Sequence, residues 1–309
     1  MPFDPRLDPY VQLAAAAAPA WERTLGDLRA GPEIEVPDVW GAPPVVDLVE
    51  ERTIAGPGGR LRLRIYRPSA SEPLPVLVWL HGGGWVVGSL DSHDPVCRHL
   101  AVTTPCVVVA PDYRLAPEHR FPAGLEDAWA ALTWTVTEAS TMGGDPARVA
   151  IGGDSAGGNL AAVAARRARD RGLPLALQVL AYPVTDFAFE TASYDEHGTG
   201  MNLTRAKMEW YWSQYLGEAD GTQEDASPLR AERLGGLAPA LVQTAGYDPL
   251  RSEAEAYAAR LAEAGVPVTL TPYPTMIHGF LRMPALVPHA LEGLAEIAAA
   301  LRAPAPAAV

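Results

Sequence analysis

Apolar residues recur along this chain in short runs separated by longer, partly polar stretches. Two alternating runs, 45–54 and 61–66, flank the glycine-rich turn 55–59 and predict an antiparallel hairpin. Six further runs follow: 76–80, 107–110, 149–151, 175–180, 240–244 and 266–271. The later ones are continuous rather than alternating, as expected of strands covered on both faces. Helical patterns lie between them, at about 94–103, 123–139, 157–171, 252–264 and 284–301. Ser252 stands where an N-cap is wanted, Glu253 and Glu255 read as helix-start residues, and Gly265 stands where the helix should end. This alternation predicts an α/β chain: a mostly parallel, eight-stranded sheet with helices on both faces.

Two parts break the rhythm. Residues 1–44 read as one helix, from about Tyr10 to Leu28, followed by a Pro/Gly-rich stretch. Residues 186–228 hold Met208 to Tyr215, rich in tryptophan and tyrosine. Both are expected to form a helical cap over the C-terminal edge of the sheet. That leaves 45–185 and 229–309 as the main domain, with the Ala/Pro tail after Arg302 fraying.

Composition narrows the function classes. The 309 residues carry a formal net charge of −13, which argues against a nucleic-acid partner or stable association with an anionic membrane. The basic cluster at 165–169 has the spacing of a solvated helix face. Two cysteines, Cys97 and Cys106, form no metal-ligand pattern, so no metal is expected and a reducing compartment fits best. The acidic, proline-rich start lacks the basic region of a signal peptide, and no apolar run reaches a membrane span. A cytoplasmic protein is expected. A homodimer is compatible with the sequence but not specified by it.

The candidate chemistry begins at Gly153-Asp-Ser155-Ala-Gly157. It follows the run ending at Ile151 and precedes a small-residue helical segment. Strand, tight turn and helix is the setting in which this pattern makes a nucleophile elbow, lifting a strained serine above the sheet edge. Small residues flank the serine because a Cβ there would meet a neighbouring element. A serine hydroxyl needs a base, and the base needs an orienting acid. Of seven histidines, His278 lies directly after the last strand, on the correct edge. His289 lies in a helical pattern and His197 in the insertion, while His93, His99 and His119 precede the serine. For the acid, Asp248 ends the seventh strand, and Asp186, after the sixth, is its rival. The second motif, His81-Gly-Gly-Gly-Trp85, follows the strand at 76–80. The backbone N–H groups of Gly83 and Gly84, with that of Ala156, could form a three-donor oxyanion hole. His81 reads as a fixer of this loop rather than a base.

Together these residues resemble the hormone-sensitive-lipase-like branch of the α/β-hydrolases. The segments that carry the resemblance are 81–85, 112–119 with 121–123, 152–159, 248–251 and 278–280, within a span of about 45–302. The resemblance implies the α/β-hydrolase fold, a helical cap and a cofactor-free carboxylesterase. One departure is Ser252, where family members often carry an acidic residue. Asp112, Arg114 and Glu118 look like structural hydrogen-bonding residues. The expected reaction is two-step acyl transfer on a small ester substrate, with Ser155 as nucleophile, His278 as base and Asp248 as acid. An apolar pocket under the cap, lined by Met208, Trp212 and Tyr215 with Trp85 near its mouth, would favour short and medium acyl chains. Two rivals stay open: an arylformamidase or other amide or lactone hydrolase on this scaffold, and a non-catalytic ligand-binding relative.

Overall fold

The computed structural model describes residues 2–30, 39–103 and 105–302. The Ala/Pro tail and part of the expected N-terminal cap segment fall outside the described residues. In chain order the helices and strands are α1 (Asp8–Ala16), α2 (Leu25–Ala30), β1 (Leu48–Gly56), β2 (Gly59–Arg67), β3 (Leu74–Leu80), α3 (Asp94–Thr103), β4 (Val107–Pro111), α4 (Ala123–Glu138), β5 (Gly144–Asp154), α5 (Ala156–Asp170), β6 (Leu177–Ala181), α6 (Ala192–His197), α7 (Arg205–Leu216), β7 (Ala240–Tyr247), α8 (Arg251–Glu263), β8 (Val268–Ile277) and α9 (Pro288–Arg302).

The eight strands form one sheet in the order β1-β2-β4-β3-β5-β6-β7-β8. β1 pairs antiparallel with β2, and β2 with β4. Every later pairing is parallel. Each parallel link needs a crossover, which the intervening helices supply. Two apolar clusters fill the two faces. One joins β3 and β5 to α4, α5, α7 and α8. The other joins the opposite side chains of the same strands to α3 and α9. All residues of β4 and β6 are buried, which explains their continuous apolar runs. The chain reverses direction across the sheet between β3 and β5, since β4 lies on one side of β3 and β5 on the other. A crevice at the carboxyl ends of the strands opens at such a switch point.

Three expectations need correction. The single N-terminal helix is two: α1 ends at Ala16, its C-cap Ala17 is already extended, and Pro19 just beyond cannot continue the helix. The helix expected from Ser252 starts one residue earlier, with Leu250 as its N-cap, so Ser252 lies in its first turn. The arginines at 165–169 are not a solvated face. Arg166 is buried and pairs with Glu224 and Asp225, while Arg167 bridges Glu126 and Asp225. These pairs tie α5 to the segment between β6 and β7.

The helix after the serine packs very close to β3. A Cβ on Gly157 would collide with the backbone carbonyl of Leu80, and one on Gly153 would lie 2.5 Å from backbone atoms of Gly157 and Leu80. Backbone cannot yield as a side-chain end can. Gly157→Ala is expected to cost about 1–3 kcal/mol or more of stability. Thermal unfolding followed by circular dichroism checks this, with a melting temperature several degrees below that of the unaltered protein as the expected result.

Candidate active site

The crevice at the ends of β3 and β5 carries the two glycine motifs, and loops after β7 and β8 reach it. Ser155 stands between β5 and α5 with φ 56° and ψ −120°, a left-handed backbone rarely held by a residue with a side chain. Its N–H donates to the carbonyl of Ala181 at 2.9 Å, which holds the turn against β6. The strain sets the hydroxyl above the sheet edge and starts α5 directly behind it.

His278 follows β8. Its Nε2 lies 2.9 Å from Ser155 Oγ, and its Nδ1 lies 2.7 Å from Asp248 Oδ2. The other carboxylate oxygen of Asp248 accepts the N–H of Leu250 at 2.9 Å, which orients the group. Three residues separated by up to 123 positions thus form one hydrogen-bonded line. Asp186, the rival acid, is instead paired with Arg230. The remaining histidines are elsewhere or engaged: His289 lies beside Glu292 on α9, and His197 lies beside Glu196 and Tyr247.

The loop after β3 faces Ser155. Gly83 and Gly84 have φ 121° and 57°. A Cβ on Gly83 would strike the carbonyl of Val87, and one on Gly84 would enter the ring of Tyr211. Glycine is therefore required at both positions on two counts, conformation and space. Among the described residues, none accepts a hydrogen bond from the N–H of Gly83, Gly84 or Ala156. Gly82 is different: its N–H donates to Asp154 Oδ1 at 3.1 Å, which straps the glycine loop to the residue before the serine. His81 points away from the serine, with its Nδ1 2.8 Å from the Gly82 carbonyl and its ring stacked on Tyr113. Burial, then the neighbouring His93, push its pKa down to about 3, so it stays neutral. It fixes the loop.

The residues at 112–118 make structural pairs. Asp112 binds Arg62, Arg114 binds the buried Asp127, and Glu118 binds Arg29 of α2. Arg29 also donates to the carbonyls of Val86 and Ala116, so the N-terminal segment clasps the glycine loop from outside.

Of the expected pocket residues, Trp85 is placed differently. Trp85 is buried rather than at a mouth, at 1% exposure, stacked on Tyr215 with ring centroids 4.2 Å apart and set 4.6 Å from Trp212. Met208, Trp212 and Tyr215 are buried as well, on the inner face of α7. These four join α7 to the sheet domain. Tyr211, on the same helix face, is the residue whose ring covers Gly84. Its spacing of three from Met208 was the available signal. Glu253 lies in the first turn of α8, as expected, but its carboxyl is buried and accepts the N–H groups of Thr185 and Asp186 at 2.7 and 3.3 Å. The loop it braces carries Val184, whose N–H donates to the Ser155 carbonyl.

Known proteins resemble this chain in sequence and fold. A family model described as alpha/beta hydrolase fold matches residues 77–282. A carboxylic ester hydrolase of Mycobacterium tuberculosis, LipN, is 44% identical over 295 residues, 93% of this chain and 76% of that protein. An ethyl acetate hydrolase of Pseudomonas putida is 41% identical over 79% of each chain. Among solved structures, a hyperthermophilic esterase from the archaeon Pyrobaculum calidifontis superposes with a TM-score of 0.91, at 40% identity over 98% of both chains.

Burial raises the pKa of Glu253 well above the ordinary carboxylate value, outweighing the two backbone donors. Its folded form therefore holds a proton that the unfolded chain releases, and stability is lost as pH rises above the unfolded value. Glu253→Gln removes that loss. The melting temperature of this variant, relative to the unaltered protein, is expected to rise as pH increases above the ordinary carboxylate range. A difference that is flat with pH would contradict the assignment.

Proposed function

This chain belongs to the α/β-hydrolase fold family, in its hormone-sensitive-lipase-like branch, and on that premise we propose that Ser155, His278 and Asp248 are its catalytic triad. The protein is a carboxylic ester hydrolase, as its relatives are. The observation that carries the residue assignment is the unbroken line from Ser155 Oγ through the imidazole to Asp248.

His278 takes the proton of Ser155 as Oγ attacks the ester carbonyl. Asp248 accepts from Nδ1, holds the tautomer that leaves Nε2 free to accept, and stabilises the imidazolium that forms. The N–H groups of Gly83, Gly84 and Ala156 receive the developing oxyanion, and the first turn of α5 adds its dipole. Each such donor contributes roughly 3–4 kcal/mol to the transition state. His278 then protonates the leaving alcohol, and water cleaves the acyl-enzyme by the reverse proton path.

The segments 1–44 and 186–228 act as the cap in this reading, and 45–185 with 229–309 as the catalytic domain. The acyl group lies between the glycine loop and α7, with Tyr211 as the wall over Gly84 and Trp85, Met208, Trp212 and Tyr215 supporting that wall from behind. Such a wall suits short and medium acyl chains. Among the described residues no helix is long and apolar enough to cross a membrane. The thiols of Cys97 and Cys106 are both buried, and in this reading the protein works in the cytoplasm, a reducing compartment.

Ser155→Ala is expected to abolish p-nitrophenyl butyrate hydrolysis with an unchanged circular dichroism spectrum. His278→Ala should lose several orders of magnitude in kcat, whereas His289→Ala should turn over normally. Retained turnover in the serine variant would mean a different nucleophile. An acyl-length series from acetate to laurate checks the pocket, with kcat/KM expected to peak at or below about six carbons.

A further inference from the structure

The segment between β6 and β7 does more than cover the crevice, because it is bonded to both loops that bear the acid and the base. Asn202 lies in the bend before α7, and its Nδ2 donates to the backbone carbonyl of His278 at 2.9 Å. A carbonyl can only accept, so the amide nitrogen of Asn202 must face it. Lys207 Nζ in turn donates to the Asn202 carbonyl at 3.0 Å, and Thr204 Oγ1 caps the start of α7. The bend is thereby anchored to a helix, and the helix to the core.

The acid loop is held from the same segment. Ser193 is fully buried on α6, and its Oγ donates to the carbonyl of Pro249, the residue after Asp248, at 2.6 Å. Ser193 and Ser252 exchange two further bonds of 3.1 Å, each accepting the other's backbone N–H. Glu196 pairs with Arg251 at 2.6 Å. Ser252 is thus a partner of this insertion.

We propose that Asn202 is a positioning residue for the base: its bond to the His278 carbonyl couples the docking of the β6–β7 segment to the reach of the imidazole toward Ser155, and Ser193 does the same for the acid loop. The peptide it holds lies between His278 and Gly279, where the chain turns into a left-handed conformation with φ 79°. Rotation of that peptide would swing the imidazole on its backbone. A shift of about 1 Å at a reacting group can cost on the order of a hundredfold in rate. A simple cover over the substrate would need no bond to either loop. The proposal rests on the triad reading above, and its test separates the two.

The experiment measures kcat and KM for Asn202→Ala and Ser193→Ala on p-nitrophenyl acetate and p-nitrophenyl hexanoate. Glu209→Ala, on the exposed side of α7, serves as control, and melting curves confirm folding. Asn202→Ala is expected to lower kcat about tenfold or more on both esters equally, with KM changed less than about twofold. The pH profile of its kcat/KM is expected to shift on the limb governed by the base. Should Ser193→Ala fail to fold, Asn202→Ala alone decides, since its side chain is partly exposed. A normal kcat on both esters, or a loss confined to KM on the longer ester, would overturn the proposal. Turnover surviving in Ser155→Ala would instead overturn the triad reading.

Discussion

The structure depends on one backbone conformation, the left-handed turn at Ser155. A residue with a Cβ held at positive φ costs about 1–3 kcal/mol and persists only where its surroundings over-determine it. Here they do. Ser155 N–H is fixed to Ala181 on β6, Asp154 receives Gly82 from the loop after β3, and the small residues at 153, 156 and 157 let α5 approach to backbone contact. The three central strands and the helix that follows are locked around a single turn. The serine can be strained because its neighbours have nowhere else to go.

Among the described residues, the other positive-φ residues with side chains are Trp85 and Tyr182. Trp85 follows the glycine loop and is pinned by Tyr215 and Trp212. Tyr182 follows β6, and its ring meets the His278 imidazole edge-on at 4.9 Å. Strain is therefore gathered at Ser155, beside the Gly83–Gly84 loop and against His278. Trp85 and Tyr182 are each seated in one of the two apolar clusters that sandwich the sheet. Core packing thus supplies the energy that holds the site in shape, which links burial of ordinary valines and leucines to the placement of a hydroxyl.

Much of this was legible in the sequence because the chemistry sits at strand ends, and strand ends are marked by local signals. Ser155, Asp248 and His278 each terminate an apolar run, and Gly82 to Gly84 announce a loop that needs unusual backbone. The strand bounds were short by several residues on β5 and at the end of β8, where glycine and proline positions extend the strand. What was not legible depends on contacts across long stretches of chain. Nothing local distinguishes Glu253 from an exposed helix-start carboxylate, since the N–H groups that donate to it are 67 and 68 residues away. Asn202 reads as an ordinary bend residue until its bond to a carbonyl 76 positions later is seen. Arg166 and Arg167 look solvated for the same reason, because their partners come from the insertion. The aromatic stripe of α7 was visible as a stripe, but only packing separates Tyr211, over the glycine loop, from the residues behind it.

The central claim is that one hydroxyl is made nucleophilic by this geometry. Incubation with diethyl p-nitrophenyl phosphate, followed by mass spectrometry of proteolytic fragments, tests it most directly. The account predicts a single diethylphosphoryl adduct, on the fragment containing Ser155, formed in step with loss of ester hydrolysis. An adduct on another residue, or full hydrolysis with Ser155 modified, would contradict it.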